Sequence, residues 1–233
     1  MPRPVFRKVS GAEEARVRSR VAHLDRDRDL VDAARRDPTR FDALYRKYLA
    51  QVYSFAYYEL GDHHEAEDAT ERTFLQALTA LPRFEERALP ADGEGASTFR
   101  VWLFQIARNV VANQRRTRLR RPQAPLDAVA TIADPLDLEG GAAAREEAAA
   151  AWAAVGRLPT ERRRALVLRF VEEMSTAEIA GVLGRSEGAV RVLVHRALRR
   201  VARDLGERDL GERDVGGRDL GERDLGERDG RAR

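Results

Sequence analysis

The stretch STAEIAGVLGRSEGAV, residues 175–190, constrains the fold most, because it specifies two short helices and the turn between them. Ser175 can cap the first helix, and Glu178, three residues later, completes a capping box. Gly184 suits the left-handed backbone of a sharp turn, and Ser186 can cap the second helix. The stretch therefore predicts two capped helices that cross at a tight turn.

The apolar residues of this stretch fall on the faces that crossing helices bury. They are Ile179, Leu183, Val190, Leu193 and Val194. This spacing is that of a helix-turn-helix, whose second helix lies in the major groove of DNA. The alternative is a plain αα-hairpin in the core of a bundle, but the arginines that follow favour DNA binding.

The positions of the second helix that the core does not use are predicted to face a DNA groove. Together with Ser186 at the helix start, they are Glu187, Ala189, Arg191, Val192, His195, Arg196 and Arg199. Arg191 is the best candidate for a bidentate guanine contact, and Val192 for contact with a thymine methyl group. Arg196 and Arg199 are predicted to hold phosphates, which position a helix without reading sequence.

The rest of the chain is also predicted to be helical, which gives an all-α fold. Aromatic residues make up only 6% and charged residues 35% of the chain, so extended β-structure is disfavoured. Residues 40–60 carry apolar side chains at i, i+3 and i+4 and end before Gly61. Residues 98–121 form a long helix with an inward stripe that includes Phe99 and Leu103.

The long helix also carries a polar face that suits nucleic acid. Its candidate contact residues are Gln105, Arg108, Asn109, Asn113, Arg115 and Arg116. Amides beside cations can bind base edges and phosphates together. The alternative is a solvated helix end, since cations also favour helix C-termini.

Composition divides the chain into five segments. We expect a flexible N-terminal arm (1–29), a helical domain (30–121), a flexible linker rich in proline, glycine and alanine (122–145), a second small helical domain (146–203) and a tail (204–233). The tail repeats RDLGE from Arg203, and each glycine costs roughly 1 kcal/mol in a helix. It is therefore predicted to be disordered.

Both helical domains resemble parts of one protein family. The second domain resembles region 4 of bacterial sigma factors over LPTERRRALVLRFVEEMSTAEIAGVLGRSEGAVRVLVHRALRRV. The first resembles their region 2 over FDALYRKYLAQVYSFAYYELGDHHEAEDATERTFLQAL and TFRVWLFQIARNVVANQRR. The two domains in this order are typical of the extracytoplasmic-function (ECF) sigma factors. The resemblance implies a protein that binds core RNA polymerase, recognises the minus-10 and minus-35 promoter elements and directs initiation.

The resemblance also assigns residue roles. Asn109 and Asn113 match positions that engage the minus-10 element, and the preceding loop matches the one that receives a flipped base. EAEDATERTFLQAL resembles the helix that docks on the polymerase clamp, which implies contacts from Glu67, Asp68, Glu71, Phe74 and Leu75. The helix dipole alone would also explain those acids. The family further implies a separate anti-sigma factor as a partner.

The chain departs from the family pattern in several places, two of which bear on DNA contacts. The segment from Arg83 to Ser97 is longer than the usual connection, so base-pocket residues cannot be transferred to it. Ala189, Val192 and Leu193 stand where family members often carry polar residues. We therefore expect weaker or less polar reading of the minus-35 element.

Other classes of function are disfavoured. There is no cysteine, and the adjacent His63 and His64 point about 100° apart on a helix, so neither a metal nor another cofactor is predicted. No catalytic motif is present, so we expect no enzyme activity and no small-molecule substrate. No apolar run or signal-peptide pattern predicts membrane insertion, which makes the cytoplasm the expected location. An autonomous helix-turn-helix regulator and a degenerate homologue that binds polymerase without initiating remain alternatives.

Overall fold

The computed structural model describes residues 24–89, 92–120 and 142–216, which contain eight α-helices and no strands. The helices are α1 (Arg28–Arg36), α2 (Phe41–Leu60), α3 (His63–Ala80), α4 (Phe99–Arg120), α5 (Ala142–Gly156), α6 (Thr160–Leu166), α7 (Thr176–Leu183) and α8 (Glu187–Gly216). A π-helical turn, Val167–Val171, continues α6. The predicted all-α class is confirmed.

Helices α1 to α4 form the first bundle, and local sequence signals set their ends. Gly61 ends α2 in a left-handed conformation, with φ of 72°. Asp62 then caps α3 by accepting a hydrogen bond from the backbone N–H of Glu65 at 2.8 Å. The apolar face of α2 is buried, and Phe55 packs edge-on against Phe104 of α4 at 5.5 Å.

Packing begins before the predicted domain start at residue 30. Asp27 is fully buried, and it binds Lys47 Nζ at 2.5 Å and the hydroxyl of Tyr48. Burial and the carboxylates of Asp27 and Asp25 raise the pKa of Tyr48. The last residues of the predicted arm therefore belong to the bundle, whereas residues 1–23 lie outside the described residues.

Glu86 and Arg28 make several of the contacts that hold the described part of the long loop before α4. Glu86 accepts hydrogen bonds from the backbone N–H and hydroxyl of Thr98, both at 2.8 Å. Burial raises the pKa of Glu86, but hydrogen bonds to Ser97, Ala88 and Thr98 bring it below its ordinary value. Arg28 donates to the carbonyl of Ala96 at 3.2 Å, which ties the loop to α1.

Helices α7 and α8 form the predicted helix-turn-helix. The Ser175–Glu178 capping box is present, and Gly184 has the left-handed φ of 66° that the turn requires. Ser186 Oγ accepts from the backbone N–H of Ala189 at 3.2 Å. Val190 is 1% exposed, as its place on the inward face predicts.

Helix α8 continues past Arg203 to Gly216, into the segment predicted to be disordered. The side chain of Asp204 is only 8% exposed, and it pairs with Arg200 at 2.8 Å and with Arg157, in the turn after α5, at 3.8 Å. The first part of the repeat therefore extends an existing helix instead of nucleating one, which costs less. The remainder of the predicted disordered tail, 217–233, lies outside the described residues, as do residues 122–141 of the predicted linker.

The two halves share one apolar core. Leu168, Met174 and Ile179 belong to the same buried cluster as Phe55 and Phe104. Trp152 of α5 stacks on Tyr58 of α2 with ring centroids 4.6 Å apart. The second half is therefore packed against the first, which brings α7 against α4.

Candidate nucleic-acid interface

The outer face of α4 carries three of the predicted nucleic-acid contacts in solvent. Asn109, Asn113 and Arg116 are all exposed. Arg116 donates through Nη2 to Asn113 Oδ1, so the amide and the guanidinium lie side by side. Such a pair can offer hydrogen bonds to a base and charge to a phosphate at one place.

Two other predicted contacts on α4 are held by the end of α7. Gln105 donates through Nε2 to the carbonyl of Gly181 at 2.8 Å, and Arg108 donates through Nη1 to the carbonyl of Val182 at 2.7 Å. Carbonyls in the last turn of a helix have no partner within the helix and carry its partial negative charge. Gln105 and Arg108 therefore bind within the chain the kind of acceptor that a nucleic acid would otherwise supply.

The sixth predicted contact, Arg115, lies in an arginine cluster around one acid. Its Nη1 is 3.6 Å from Glu59 Oε2 and 3.4 Å from the hydroxyl of Thr160. Arg164 of α6 pairs with the same buried Glu59 oxygen at 2.7 Å. Burial lowers the pKa of Arg163, and Arg115 and Arg164 lower it further against the opposing effect of Glu59.

Sequence reasoning missed Glu59, Arg163 and Arg164 as partners. The available signal was the run of three arginines at positions 162–164. Cations near a helix N-terminus interact unfavourably with the helix dipole, so a nearby acidic side chain is expected to compensate them. Arg100 was missed as well. It is 7% exposed and binds the carbonyl of Glu172 and, at 3.4 Å, the carboxylate of Glu178.

The predicted reading surface of α8 is open to solvent. Arg191, Val192, His195, Arg196 and Arg199 are exposed. Glu187 and Ala189 are half-buried, and Glu187 pairs with Arg191 at 2.9 Å. Glu187 therefore holds the guanidinium that we expect to contact a base.

The predicted polymerase-binding residues of α3 divide between surface and core. Glu67, Asp68 and Glu71 are exposed, and Leu75 is 62% exposed. Phe74 is 4% exposed and packs edge-on against Tyr45, with ring centroids 4.8 Å apart. It therefore belongs to the core beneath the exposed face of α3. A shallow groove beside Leu75 is lined by Tyr45, Leu49, Tyr53 and Leu78.

Neither a metal cluster nor a membrane span is found among the described residues. No group of three or more histidine and acidic side chains there could hold a metal ion. His63 instead stacks on Tyr57 with centroids 4.4 Å apart. No helix of the described ranges is both long and apolar enough to cross a bilayer.

Two family models match the chain in the order of its two halves. Sigma-70 region 2 matches residues 44–121, and Sigma-70 region 4 matches residues 148–201. The first covers α2 to α4, and the second covers most of α5 through the packed part of α8.

Curated relatives cover most of the chain. It is 34% identical over 183 residues to the ECF RNA polymerase sigma factor BldN of Streptomyces coelicolor, covering 75% of this chain and 64% of BldN. It is 28% identical to SigW of Bacillus subtilis, covering 72% of this chain and 92% of SigW. It is 32% identical to SigL of Mycobacterium tuberculosis, covering 75% of this chain and 95% of SigL.

Solved structures share the fold. CnrH, in complex with the cytosolic domain of CnrY, is 28% identical with a TM-score of 0.55, covering 78% of this chain and 99% of CnrH. The sigma factor RpoE of Bartonella quintana, in complex with the anti-sigma factor NepR, has a TM-score of 0.52 at 22% identity. That match covers 71% of this chain and 96% of RpoE and shows the fold alone.

Proposed function

The chain belongs to the ECF group of sigma-70 RNA polymerase sigma factors, and from this premise we propose which of its surfaces perform each step of initiation. It binds core RNA polymerase through α3, contacts the minus-10 element through α4 and reads the minus-35 element through α8. The observation that carries this proposal is the exposed group of Asn109, Asn113 and Arg116 on the region 2 helix.

The minus-10 contact is proposed for α4 because its exposed face combines amides and cations. Asn109 and Asn113 lie one helical turn apart, so they can contact neighbouring nucleotides of one strand. Arg116, beside Asn113, supplies charge for a phosphate. Gln105, Arg108 and Arg115 lie on the same helix and would join this set once their present partners are released.

The minus-35 contact is proposed for the exposed side of α8. Arg191 can donate two hydrogen bonds to a guanine, and Glu187 orients it. Val192, at 46% exposed, offers an apolar contact to a thymine methyl group. Arg196 and Arg199 hold phosphates further along the helix.

Polymerase docking is proposed for the exposed acids and Leu75 of α3. Glu67, Asp68 and Glu71 present negative charge on α3, and Glu67 and Glu71 line the apolar groove, which suits a partner helix with basic and apolar residues. This role is non-enzymatic, and it places the protein in the cytoplasm with the polymerase. Because the family resemblance implies an anti-sigma factor and the similar CnrH was solved with the cytosolic domain of CnrY, we also propose that a separate anti-sigma protein binds this chain.

In vitro transcription with core polymerase and a pool of genomic promoter fragments tests the proposal. The wild-type chain should give specific transcripts, and Asn109→Ala/Asn113→Ala should reduce them about tenfold or more, since a good base contact is worth roughly 1–3 kcal/mol. Gln76→Ala, an exposed amide on α3, is the matched control and should transcribe normally. Core binding, measured by co-purification, should be equal for all three proteins.

The outcomes separate the alternative functions. Core binding without transcripts would contradict the proposal and favour a homologue that occupies polymerase without initiating. Binding of duplex DNA by the free chain, with no core binding, would instead favour an autonomous helix-turn-helix regulator.

A further inference from the structure

A cavity of about 400 Å³, called here the junction cavity, lies where α2, α4 and the turn before α7 meet. Its lining residues are Asp25, Lys47, Gln51, Arg100, Val171, Glu172, Glu173 and Glu178. None of them belongs to the proposed DNA or polymerase contacts. Ligand pockets in proteins begin at about 300 Å³, so the junction cavity is large enough for a small molecule.

The cationic groups of the junction cavity already have partners. Lys47 Nζ is 3.5 Å from a carboxylate oxygen of Asp25. Arg100 donates to the backbone carbonyl of Glu172 and pairs with the carboxylate of Glu178 at 3.4 Å. Within the described part of the chain, the only buried side-chain donor of the lining without a hydrogen-bond partner is Arg100 Nε. The cavity therefore has few hydrogen-bond donors to offer a ligand.

Two buried oxygens of the lining, in contrast, have no donor. Glu172 is 3% exposed, and its Oε1 has no hydrogen-bond partner among the described residues. Gln51 Oε1 is also buried and without a partner there. A buried acceptor without a donor costs free energy, and a ligand that donates hydrogen bonds would recover it.

The charges of the lining favour a cationic ligand. Two cations, Lys47 and Arg100, face four carboxyl groups. The formal balance is one negative charge when Glu172 is protonated and two when it is ionised. Among the described residues, no group of acids and histidines could hold a metal ion. An organic cation with N–H donors therefore fits the junction cavity better than a metal does.

We propose that the junction cavity binds a small organic cation through a primary ammonium or guanidinium head. The head donates to the unpartnered oxygens of Glu172 and Gln51, and the acidic lining compensates its charge. Because such a ligand contacts α2, α4 and the turn before α7 together, its binding stabilises the folded chain.

Binding should be coupled to the proton of Glu172. Burial raises the pKa of Glu172 to about 8, against the opposing effects of Arg100 and Ser54, so the carboxyl group is mostly protonated at pH 7. A cation beside it favours the ionised form, so binding at pH 7 should release close to one proton. Affinity should accordingly rise about tenfold between about pH 6.5 and pH 8.5. The charged groups around Glu172 are Asp25, Lys47, Arg100, Glu173 and Glu178.

Calorimetric titration of the full-length chain with agmatine, which carries both kinds of head, tests the proposal. Titrations at pH 7 in two buffers of different ionisation enthalpy give the affinity and the number of protons released. Tetramethylammonium, a cation without N–H groups, should not bind at the same ionic strength. Agmatine at ten times its Kd should also raise the thermal unfolding midpoint by about 3 °C or more.

A second ligand distinguishes the two sources of such a head. Acetyl-arginine amide presents a guanidinium as a protein side chain does, whereas agmatine presents it as a free amine. Tighter binding of agmatine would identify a free polyamine-like cation as the occupant. Tighter binding of acetyl-arginine amide would identify an arginine of a protein.

Variants of the lining locate the site. Glu172→Gln should bind agmatine about tenfold more weakly and release no proton, because it cannot ionise. Gln51→Ala should weaken binding about fivefold and keep the proton release. Asp42→Asn, at an exposed acid elsewhere on α2, is the matched control and should bind as the wild type does. Circular dichroism confirms that the variants are folded.

Each alternative result would overturn the proposal. These results are no saturable binding of agmatine, equal binding of tetramethylammonium, and unchanged affinity of Glu172→Gln. Binding without proton release would also overturn it, since the cation would then lie away from Glu172. None of these measurements uses polymerase or DNA, so they stand whether or not the proposed function holds.

Discussion

Glu172 is a buried carboxyl at the junction of the two halves. It is 3% exposed, and Arg100 of α4 donates to its backbone carbonyl. Burial raises its pKa to about 8, against the opposing effects of Arg100 and a hydrogen bond with Ser54 of α2. The other charged groups that line the adjoining cavity are Asp25, Lys47, Arg100, Glu173 and Glu178. At neutral pH, Glu172 is therefore mostly protonated in the packed chain.

This residue should make stability fall with rising pH. Between its ordinary pKa of 4.5 and about 8, the folded chain holds a proton that the unfolded chain has released. The stabilisation from this proton is therefore fully present below pH 4.5, and it is lost as the pH rises through about 8. We expect the free energy of unfolding to drop by roughly 2 kcal/mol between about pH 6 and pH 8 through this group.

Urea unfolding across this pH range, followed by circular dichroism, measures the effect. Glu172→Gln should flatten the pH dependence, and the exposed neighbour Glu173→Gln should leave it as in the wild type. Equal slopes for Glu172→Gln and wild type would show that Glu172 is ionised in the folded chain.

At the scale of elements, α8 has two functions in different parts of its length: it carries the proposed DNA contacts and it packs against the rest of the second half. Its first turns carry the proposed DNA-reading side chains, and its later turns pack through Ala197 and Val201 against Val155, Leu158 and Leu166. Asp204 then pairs with Arg200 and Arg157. The contacts from Ala197 to Asp204 therefore hold the middle of the helix, which fixes the angle at which its reading surface is presented.

A truncation series tests where the packed part of α8 ends. A chain ending at Arg203 should lose about 1 kcal/mol of unfolding free energy relative to one ending at Gly206, since the Asp204 partners are half-exposed. Asp204→Asn in the full chain should reproduce most of this loss. Thermal unfolding compares the three proteins, and equal midpoints would place the end of the packed region before Asp204.

At the scale of the whole molecule, several arginines meet one buried acid, Glu59, at the junction between the halves. Arg115 and Arg164 converge on Glu59, and Arg163 lies close enough for its pKa to respond to all three. Arg108 is also affected, because burial and then Arg164 lower its pKa. Packing of the two halves therefore brings arginines together around one buried carboxylate, and that carboxylate offsets their mutual repulsion.

Removing the charge of Glu59 should favour separation of the halves. Loss of one partner from a buried ion pair costs roughly 3–5 kcal/mol, and here it also leaves neighbouring cations unopposed. Glu59→Gln should therefore increase the radius of gyration measured by small-angle X-ray scattering. Glu67→Gln, at an exposed site on α3, is the control. An unchanged radius for Glu59→Gln would mean that the remaining contacts are enough to hold the two halves together.

The sequence by itself determined most of the helices and the turns that end α2 and α7. The periodicity of α2, the capping box at Ser175 and Glu178, and the turns at Gly61 and Gly184 all appear as predicted. These features depend on residues within a few positions of one another, so their physics is local. The family resemblance added the order of the two regions, which the comparisons confirm.

Only the tertiary structure decided which residues distant in the sequence contact one another. Gln105 meets Gly181 at a separation of 76 residues, and Glu59 meets Arg164 at a separation of 105. Nothing in the local pattern of either segment specifies its distant partner, because the pairing depends on how whole helices pack. The sequence could therefore identify the polar face of α4, whereas the fold determined which of its side chains face solvent and which are bound to α7.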